Sequence, residues 1–142
     1  MGFATSPPLQ PVGQLLEQCG LPTGDLTPAL MAQFLYAGPA SQPSGVVGLE
    51  MHGAVALLRS LAVAPDQRTG GLGRALVVAA EGAARAQGVA ELFLLTQTAA
   101  AYFERLGYQR APRDAAPPAI RATGQFTSLC PDSAVLMRKP LQ

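Results

Sequence analysis

The sequence has few of the residues that build metal centres or covalent cross-links. It contains one histidine, His52, and two cysteines, Cys19 and Cys130, which lie far apart in the chain. A single histidine excludes a histidine-rich metal site, and two distant cysteines define no disulfide framework. We therefore expect no bound metal ion, and we expect both thiols to be reduced.

Charged residues are also scarce, at 13% of the chain, and the formal net charge is +1. A nucleic-acid-binding domain usually carries a basic face, so this balance argues against DNA or RNA as a partner. No apolar run reaches the length of a membrane span, and the first residues lack a basic segment followed by an apolar one. These absences lead us to expect a cytoplasmic protein with no membrane partner.

Apolar residues, in contrast, make up 49% of the 142 residues, and 15 glycines and 13 prolines interrupt them. A chain of this length and composition is expected to form a single domain, residues 1–142, from short elements. Hydrophobic periodicity predicts seven strands, at 2–5, 33–37, 45–51, 55–63, 91–96, 108–111 and 134–139. It predicts five helical segments, at 9–19, 28–32, 72–87, 99–106 and 119–129.

Strands followed by alternating strands and helices predict an α+β fold of three layers, with helices on both faces of a mixed, mostly antiparallel sheet. A right-handed crossover should make the strands at 55–63 and 91–96 parallel. The strand at 91–96 is apolar throughout, so we expect it to be central. Exposed strand edges and low surface charge favour a homodimer. The expected inward face of the long helix consists of Leu72, Ala75, Leu76, Ala79, Ala80 and Ala83, with Glu81 off that face.

The stretch from Val63 to Arg74 joins an apolar strand to this helix through Gly70, Gly71 and Gly73. The first amides of a helix have no acceptor within it, and the helix dipole adds partial positive charge, so an anion can bind there. The alternative is that the glycines only make a turn. A P-loop would need Gly-Lys-Ser/Thr, which is absent, and Leu76 stands where a dinucleotide fingerprint needs a third small residue. The stretch therefore predicts an anion site of another kind.

The motif Arg-x-x-Gly-x-Gly, from Arg68 to Gly73, resembles the acyl-CoA pyrophosphate loop of the GNAT (Gcn5-related) N-acetyltransferases. The segment from Ala99 to Tyr108, Ala-x-x-Tyr-Phe-x-x-Leu-Gly-Tyr, is similar to a second motif of that family. The resemblance covers most of the chain and is weakest before residue 45. It implies a sheet whose parallel strands splay apart, and an enzyme that moves an acetyl group from acetyl-CoA to a small amine or amino-acid-like acceptor.

Further segments look like one subfamily, the arsenic-resistance-associated N-acetyltransferases of the second type. They are residues 48–50, 55–63, 119–123 and 126–134. This likeness implies a link to arsenic resistance. It also raises an alternative from another class, an arsenic-binding accessory protein in which Cys130 offers a thiolate to trivalent arsenic.

The family resemblance implies a cofactor site in two parts of the chain. The backbone of Leu61 and Val63 would pair with the pantetheine arm like an added strand, and amides from Thr69 to Arg74 would hold the pyrophosphate. The thioester would lie in a slot between residues 61–63 and 94–96. The implied cofactor-binding residues are Leu61, Ala62, Val63, Arg68, Thr69, Gly70, Gly71, Leu72, Gly73, Arg74, Thr96 and Phe103.

The acceptor amine must be neutral before it attacks, so the reaction needs a base or a chain of waters. Glu50 is the candidate base, and a solvated strand end or a pairing with Arg59 is the alternative. Arg59 interrupts an apolar strand, so its burial would demand an anionic partner. That partner could be a substrate carboxylate, an arsenical oxyanion or Glu50. Arg121 is a further candidate for substrate binding, with a surface role as the alternative, and His52 is expected to be a solvated turn residue.

Expulsion of the thiolate is eased by an acid, and here the chain departs from the family. Phe103 stands where the family carries a tyrosine, and Tyr102 precedes it. A shift of one residue rotates a helical side chain by about 100°, so Tyr102 does not simply inherit the role. Either the thiolate leaves unassisted, or a group such as Ser60 or a water donates the proton. Because Thr96 also replaces a frequent asparagine, an acyl-CoA-binding sensor without catalysis remains an alternative.

Overall fold

The computed structural model describes residues 3–129 and 133–141. One sheet of seven strands has the order β1-β2-β3-β4-β5-β7-β6. The strands are β1 (Ala4–Thr5), β2 (Phe34–Ala37), β3 (Gly45–His52), β4 (Val55–Val63), β5 (Glu91–Thr96), β6 (Gln109–Ala111) and β7 (Val135–Pro140). The helices are α1 (Leu9–Gln18), α2 (Leu72–Ala86), α3 (Ala100–Arg105) and α4 (Pro118–Arg121), and a π-helical segment, Gln125–Leu129, follows α4.

Every pair of neighbouring strands is antiparallel except β4 and β5. The helix α2 connects these two strands, and their parallel pairing is the one expected from the sequence. β5 lies between β4 and β7, inside the sheet. The predicted α+β fold, with a mixed and mostly antiparallel sheet, is therefore confirmed.

Helices cover both faces of this sheet. The helices α2 and α3 pack on one face through residues such as Leu76 and Phe103. On the opposite face, α1 packs through Val12 and α4 through Ile120, in two separate clusters. Among the described residues, none of the helices has both the length and the apolar character that crossing a bilayer requires.

The parallel pair separates after three residues. Its register runs from Val55 opposite Glu91 to Leu57 opposite Phe93. Farther along β4, the stretch from Arg59 to Ala62 stands opposite only Val46 to Gly48 of β3, so β4 carries an extra residue. Ser60 lies in this bulge with a φ of 59°. Because a bulge bends its strand, the second half of β4 turns away from β5 and a slot opens between them.

The bulge also changes which side chains reach each face. Leu58 packs on the α2 face before the bulge, whereas Leu61 and Val63 pack on that face after it. Ala62 consequently faces α1. A regular strand would keep its alternation along its whole length, so the extra residue sets which part of β4 lines the slot.

The buried face of α2 differs from the predicted one. Ala75 is exposed, whereas Val77 and Ala84 are buried beside the expected core positions. Glu81 is buried as well, at 6% exposure, which corrects its expected position off the inward face. Its carboxylate accepts hydrogen bonds from Tyr108 Oη at 2.8 Å and from Lys139 Nζ at 3.0 Å. Those partners satisfy a buried charge, and a helical periodicity cannot reveal them.

Two further expectations are corrected. The single helix expected at 119–129 is two elements, α4 and the π-helical segment, with Thr123 between them. Thr123 Oγ1 donates to Ile120 O at 2.8 Å and accepts from Phe126 N at 3.3 Å, and such local bonds compete with a continuous helix. His52 ends β3 and is not a turn residue.

Candidate active site

A cavity of about 810 Å³ occupies the slot between β4 and β5. Its walls include residues 57–63 of β4 and residues 94–99 at the end of β5. It reaches Gly71 and Gly73 at the start of α2, and it also reaches residues 19–22 after α1 and Gln125 after α4. A single cavity thus joins the glycine-rich turn to the face of the sheet that α1 and α4 cover.

The turn before α2 presents backbone amides at the end of this cavity. Gly71 caps α2 with a φ of 76°, in the left-handed region that glycine adopts without steric cost. The first helical hydrogen bond joins Ala75 N to Gly71 O, so the amides of residues 72–74 have no helical acceptor. A Cβ at Gly70 or Gly71 would meet nothing within 4 Å. The turn therefore combines open space, unpaired helical amides and the positive end of a dipole, which suits an anion.

Arg68 folds back onto β4. Its Nε donates to Val63 O at 3.0 Å, and its Nη2 lies 3.4 Å from Cys19 Sγ. Cys19 Sγ lies 3.7 Å from the same carbonyl oxygen. The guanidinium therefore ties the end of β4 to the end of α1 at one end of the cavity.

Tyr102 lies over the first turn of α2. A Cβ at Gly73 would come within 2.8 Å of Tyr102 Oη, so a larger residue there would displace the hydroxyl. Burial raises the pKa of the Tyr102 hydroxyl, although the charges of Arg105 and Arg74 lower it in part. The hydroxyl therefore keeps its proton at neutral pH, beside the helix start and in the cavity wall.

Phe103 and Thr96 lie in the same wall. Phe103 is buried, with its ring edge-on to Tyr102 and Tyr108 at centroid distances of 5.4 and 5.7 Å. Thr96 Oγ1 accepts a hydrogen bond from Ala99 N at 3.0 Å, at the start of α3. A hydroxyl that accepts at a helix start helps to position the helix, so Thr96 orients the element that carries Phe103.

Arg59 is the centre of a charged cluster on the face covered by α1 and α4. Its side chain is 1% exposed. It donates to Asp25 through Nη1 at 2.5 Å and Nη2 at 2.7 Å, to Glu50 through Nη1 at 2.7 Å, and to Ser60 Oγ through Nε at 3.1 Å. Burial alone would lower the pKa of the Arg59 guanidinium, but its hydrogen bonds to Asp25 and Glu50 and their charges raise it.

The cluster contains one partner that sequence reasoning proposed and one that it missed. Glu50 pairs with Arg59, as one of the alternatives stated, and its Oε1 lies 3.9 Å from His52 Nε2. Asp25 lies 34 residues before Arg59 in a turn between α1 and β2, and no local pattern marks it. The requirement that a buried arginine have an anionic partner was the signal available, but it does not identify which acid.

Other proposed site residues lie elsewhere. Arg121 ends α4 and is exposed, outside the described lining of the cavity. Cys130, the proposed arsenic ligand, lies outside the described residues. The cavity therefore brings together β4, the start of α2 and α3. Glu50 and Asp25 also lie outside its described lining, and they are joined to it through Arg59, which lies in its wall.

A sheet opened between two parallel strands, with a glycine-rich turn and a helix start at one end of the opening, is the fold of the N-acetyltransferase class. A family model described as an acetyltransferase (GNAT) domain matches residues 32–110, more than half of the chain. The chain belongs to the GNAT acetyltransferase family.

Solved structures share the fold at low sequence identity. N-acetylglutamate synthase from Neisseria gonorrhoeae, complexed with coenzyme A and N-acetyl-glutamate, matches 92% of this chain with 21% identity and a TM-score of 0.78. This chain spans about a third of that one, since 32% of it is covered. Rv2747 from Mycobacterium tuberculosis, in complex with CoA and NLQ, matches 94% of this chain and 94% of its own, with 18% identity and a TM-score of 0.76. Tetrahymena GCN5 matches 94% of this chain and 86% of its own, with 15% identity and a TM-score of 0.69. No curated protein gives a significant match.

Proposed function

We propose that this protein transfers the acetyl group of acetyl-CoA to the nitrogen of a small amine or amino-acid-like acceptor. The observation that carries the proposal is the single cavity that joins the glycine-rich turn to the bulge of β4 beside Arg59. Coenzyme A is bound in the structures of N-acetylglutamate synthase and Rv2747, which have the same fold. N-acetyl-glutamate, bound in the first of these, is an acetylated amine.

The residues of the turn fit the pyrophosphate of this donor. The amides from Thr69 to Arg74 would hold its charge, because Gly70 and Gly71 leave the space before them open. The second half of β4, which has left β5, offers the backbone of Leu61 and Val63 to an extended arm. The carbonyl of Val63 is shared with Arg68 Nε. Acetyl-CoA supplies an activated acyl group, and this path directs it toward Ser60 and Thr96.

Glu50 is the base in this proposal. Its Oε2 is held by Arg59 at 2.7 Å, and its Oε1 lies 3.9 Å from His52 Nε2. Oε1 has no closer charged partner among the described residues, so it is the oxygen that can accept the amine's proton, directly or through a water. The nitrogen then bonds to the acyl carbon as the bond from that carbon to sulfur breaks.

The departing sulfur takes a proton from Ser60, from Tyr102 or from water. Ser60 Oγ accepts a hydrogen bond from Arg59 Nε at 3.1 Å, so its own hydroxyl proton can point into the cavity. Tyr102 Oη is protonated at neutral pH but lies beside the first turn of α2. Ser60 lies in the bulge where β4 has left β5, in the slot proposed for the thioester, which makes it the stronger of the two candidates.

Thiol release from acetyl-CoA, measured across amines, amino acids and organoarsenicals, tests the proposal. Glu50→Gln should lower kcat by about 10²- to 10⁴-fold, the usual contribution of a general base, and leave acetyl-CoA affinity unchanged. Glu104→Gln is the matched control, because Glu104 is exposed and pairs with Arg110 away from the cavity. Undiminished turnover of Glu50→Gln across the pH range would eliminate Glu50 as the base.

Binding of acetyl-CoA without turnover on any amine would instead favour an acyl-CoA sensor. The buried Phe103 at the position of a family tyrosine is the observation behind that alternative. Turnover of an organoarsenical would support the link to arsenic resistance, which stays a prediction of the sequence. The homodimer and the cytoplasmic location stay predictions as well.

A further inference from the structure

We propose that the acceptor site selects amines that carry no carboxylate, because Asp25 and Glu50 already occupy the guanidinium of Arg59. This inference rests on the proposed function and narrows its substrate class. It concerns Asp25 as a residue that determines specificity through Arg59.

The hydrogen-bonding capacity of Arg59 is nearly used up. A guanidinium has five N–H donors, and four contacts with Asp25, Glu50 and Ser60 engage its three nitrogens. The two bonds to Asp25 form the parallel, bidentate arrangement that an arginine would otherwise offer to a substrate carboxylate. An incoming carboxylate therefore finds its natural binding position already filled.

Asp25 is also held from a second side. A Cβ added at Gly124, in the segment after α4, would stand 3.3 Å from Asp25 Oδ2 and 3.4 Å from its Cβ. The Asp25 side chain thus fits between β4 and this segment. Displacing it would break two charge-assisted hydrogen bonds and this packing, so a substrate carboxylate cannot take its place without cost.

The net charge of the cluster formed by Arg59, Asp25 and Glu50 also disfavours a substrate carboxylate. One guanidinium faces two carboxylates, so the cluster has an excess of one negative charge. His52, the other titratable group beside Glu50, lies 3.9 Å from its Oε1. Arg68 and Arg74 line the other end of the cavity, beside the start of α2, and Arg68 is tied to Val63 and Cys19. An ammonium group is attracted to such a cluster and a carboxylate is repelled, which is discrimination by an unfavourable contact.

The test compares three acceptors that share one side chain: tyramine, tyrosine and tyrosine amide. Tyramine and tyrosine amide should exceed tyrosine in kcat/KM by at least about tenfold, which corresponds to about 1.4 kcal/mol. Tyrosine amide is nearly the size of tyrosine but lacks the negative charge, so it separates charge from size. Agmatine with arginine, and cadaverine with lysine, repeat the comparison on other side chains. A preference for the amino acids, or no discrimination, overturns the inference.

Asp25→Asn removes one negative charge and keeps the shape of the side chain. It should reduce the preference for tyramine over tyrosine by about tenfold, and Asp25→Ser, which also frees donors of Arg59, should act in the same direction. Glu104→Gln should leave the preference unchanged. Circular dichroism melting curves establish that each variant is folded. An unchanged preference in both folded Asp25 variants overturns the role of Asp25.

Equilibrium binding of the same three compounds to the complex with coenzyme A, measured by calorimetry, separates this inference from the proposed function. Selective binding of tyramine without turnover of any acceptor refutes the proposed function and leaves the selectivity in place. Binding of tyrosine at least as tight as that of tyramine refutes the selectivity even where turnover is observed. Failure of every amine to bind also refutes it.

Discussion

Substitution of Gly71 tests whether the turn before α2 holds a pyrophosphate. Gly71 has a φ of 76°, so any other residue there is strained, although an added Cβ would meet nothing within 4 Å. Gly71→Gln and Gly71→Glu impose the same strain and nearly the same volume. The difference between them is one negative charge at the proposed anion site.

The magnitude follows from Coulomb's law. A carboxylate about 6 Å from a phosphate charge costs about 0.7 kcal/mol in water and about 3 kcal/mol at an effective dielectric constant of 20. With two charges on the pyrophosphate, even the value for water gives about 1.4 kcal/mol, which is a tenfold change. The left-handed backbone lowers the free energy of unfolding by about 1 kcal/mol in both variants. This cost is the same for glutamine and glutamate, so it cancels when their affinities are compared.

Isothermal titration calorimetry with acetyl-CoA should therefore give a Kd for Gly71→Glu at least about tenfold above that for Gly71→Gln. The difference in Kd between the two variants should become smaller as salt is added, because the turn is exposed and its charges are screened. Gly82→Glu is a matched control on the outer part of α2, where an added Cβ also meets nothing within 4 Å. Equal affinities for Gly71→Glu and Gly71→Gln would show that the turn holds no anion.

Two further predictions concern the stability of the scaffold. Gly48→Ala should lower the free energy of unfolding by about 1 to 3 kcal/mol through overpacking, because its Cβ would collide with the fully buried ring of Phe34. Gly82→Ala should raise it by about 1 kcal/mol, and thermal melts showing no difference between the two variants would contradict the packing at Gly48. Burial, reinforced by Glu81, raises the pKa of Tyr108 well above its ordinary value of 10.0. Above pH 10 the unfolded chain loses this proton and the folded protein keeps it, so the stabilisation is complete below pH 10 and declines by about 1.4 kcal/mol per pH unit above it. Urea titrations between about pH 9 and 11 should show a shallower decline for Tyr108→Phe, and an identical slope would refute the assignment.

Local sequence patterns were sufficient to predict most of the helices and strands. The bounds expected for β4 and β5, residues 55–63 and 91–96, are those observed. Alternating or continuous apolar runs bounded by glycine and proline depend only on residues that are close together in the chain. A single sequence is therefore enough to identify them. The turn from Val63 to Arg74 was recognised for the same reason, since its glycines stand next to the helix start that they serve.

Burial of charge was not predictable in the same way. The helical pattern of α2 assigned Glu81 to the outside, but Tyr108 and Lys139 from distant segments satisfy it in the core. The alternation along β4 did not reveal the extra residue at Ser60, since a bulge depends on register with β3. The side-chain hydrogen bonds of Thr123 interrupt the helix expected at 119–129. Hydrophobic periodicity carries no information about such bonds.

By itself, the sequence determined the class of fold, the parallel crossover around α2 and the position of the glycine-rich turn, because each depends on residues adjacent in the chain. Only the tertiary structure decided which acids pair with Arg59. Asp25 and Glu50 reach Arg59 from 34 and 9 residues away, and one buried guanidinium thereby becomes part of a cluster with excess negative charge. An arginine within an apolar strand predicts that a counter-ion is needed. Which residue provides the counter-ion depends on which loops the packed sheet brings together.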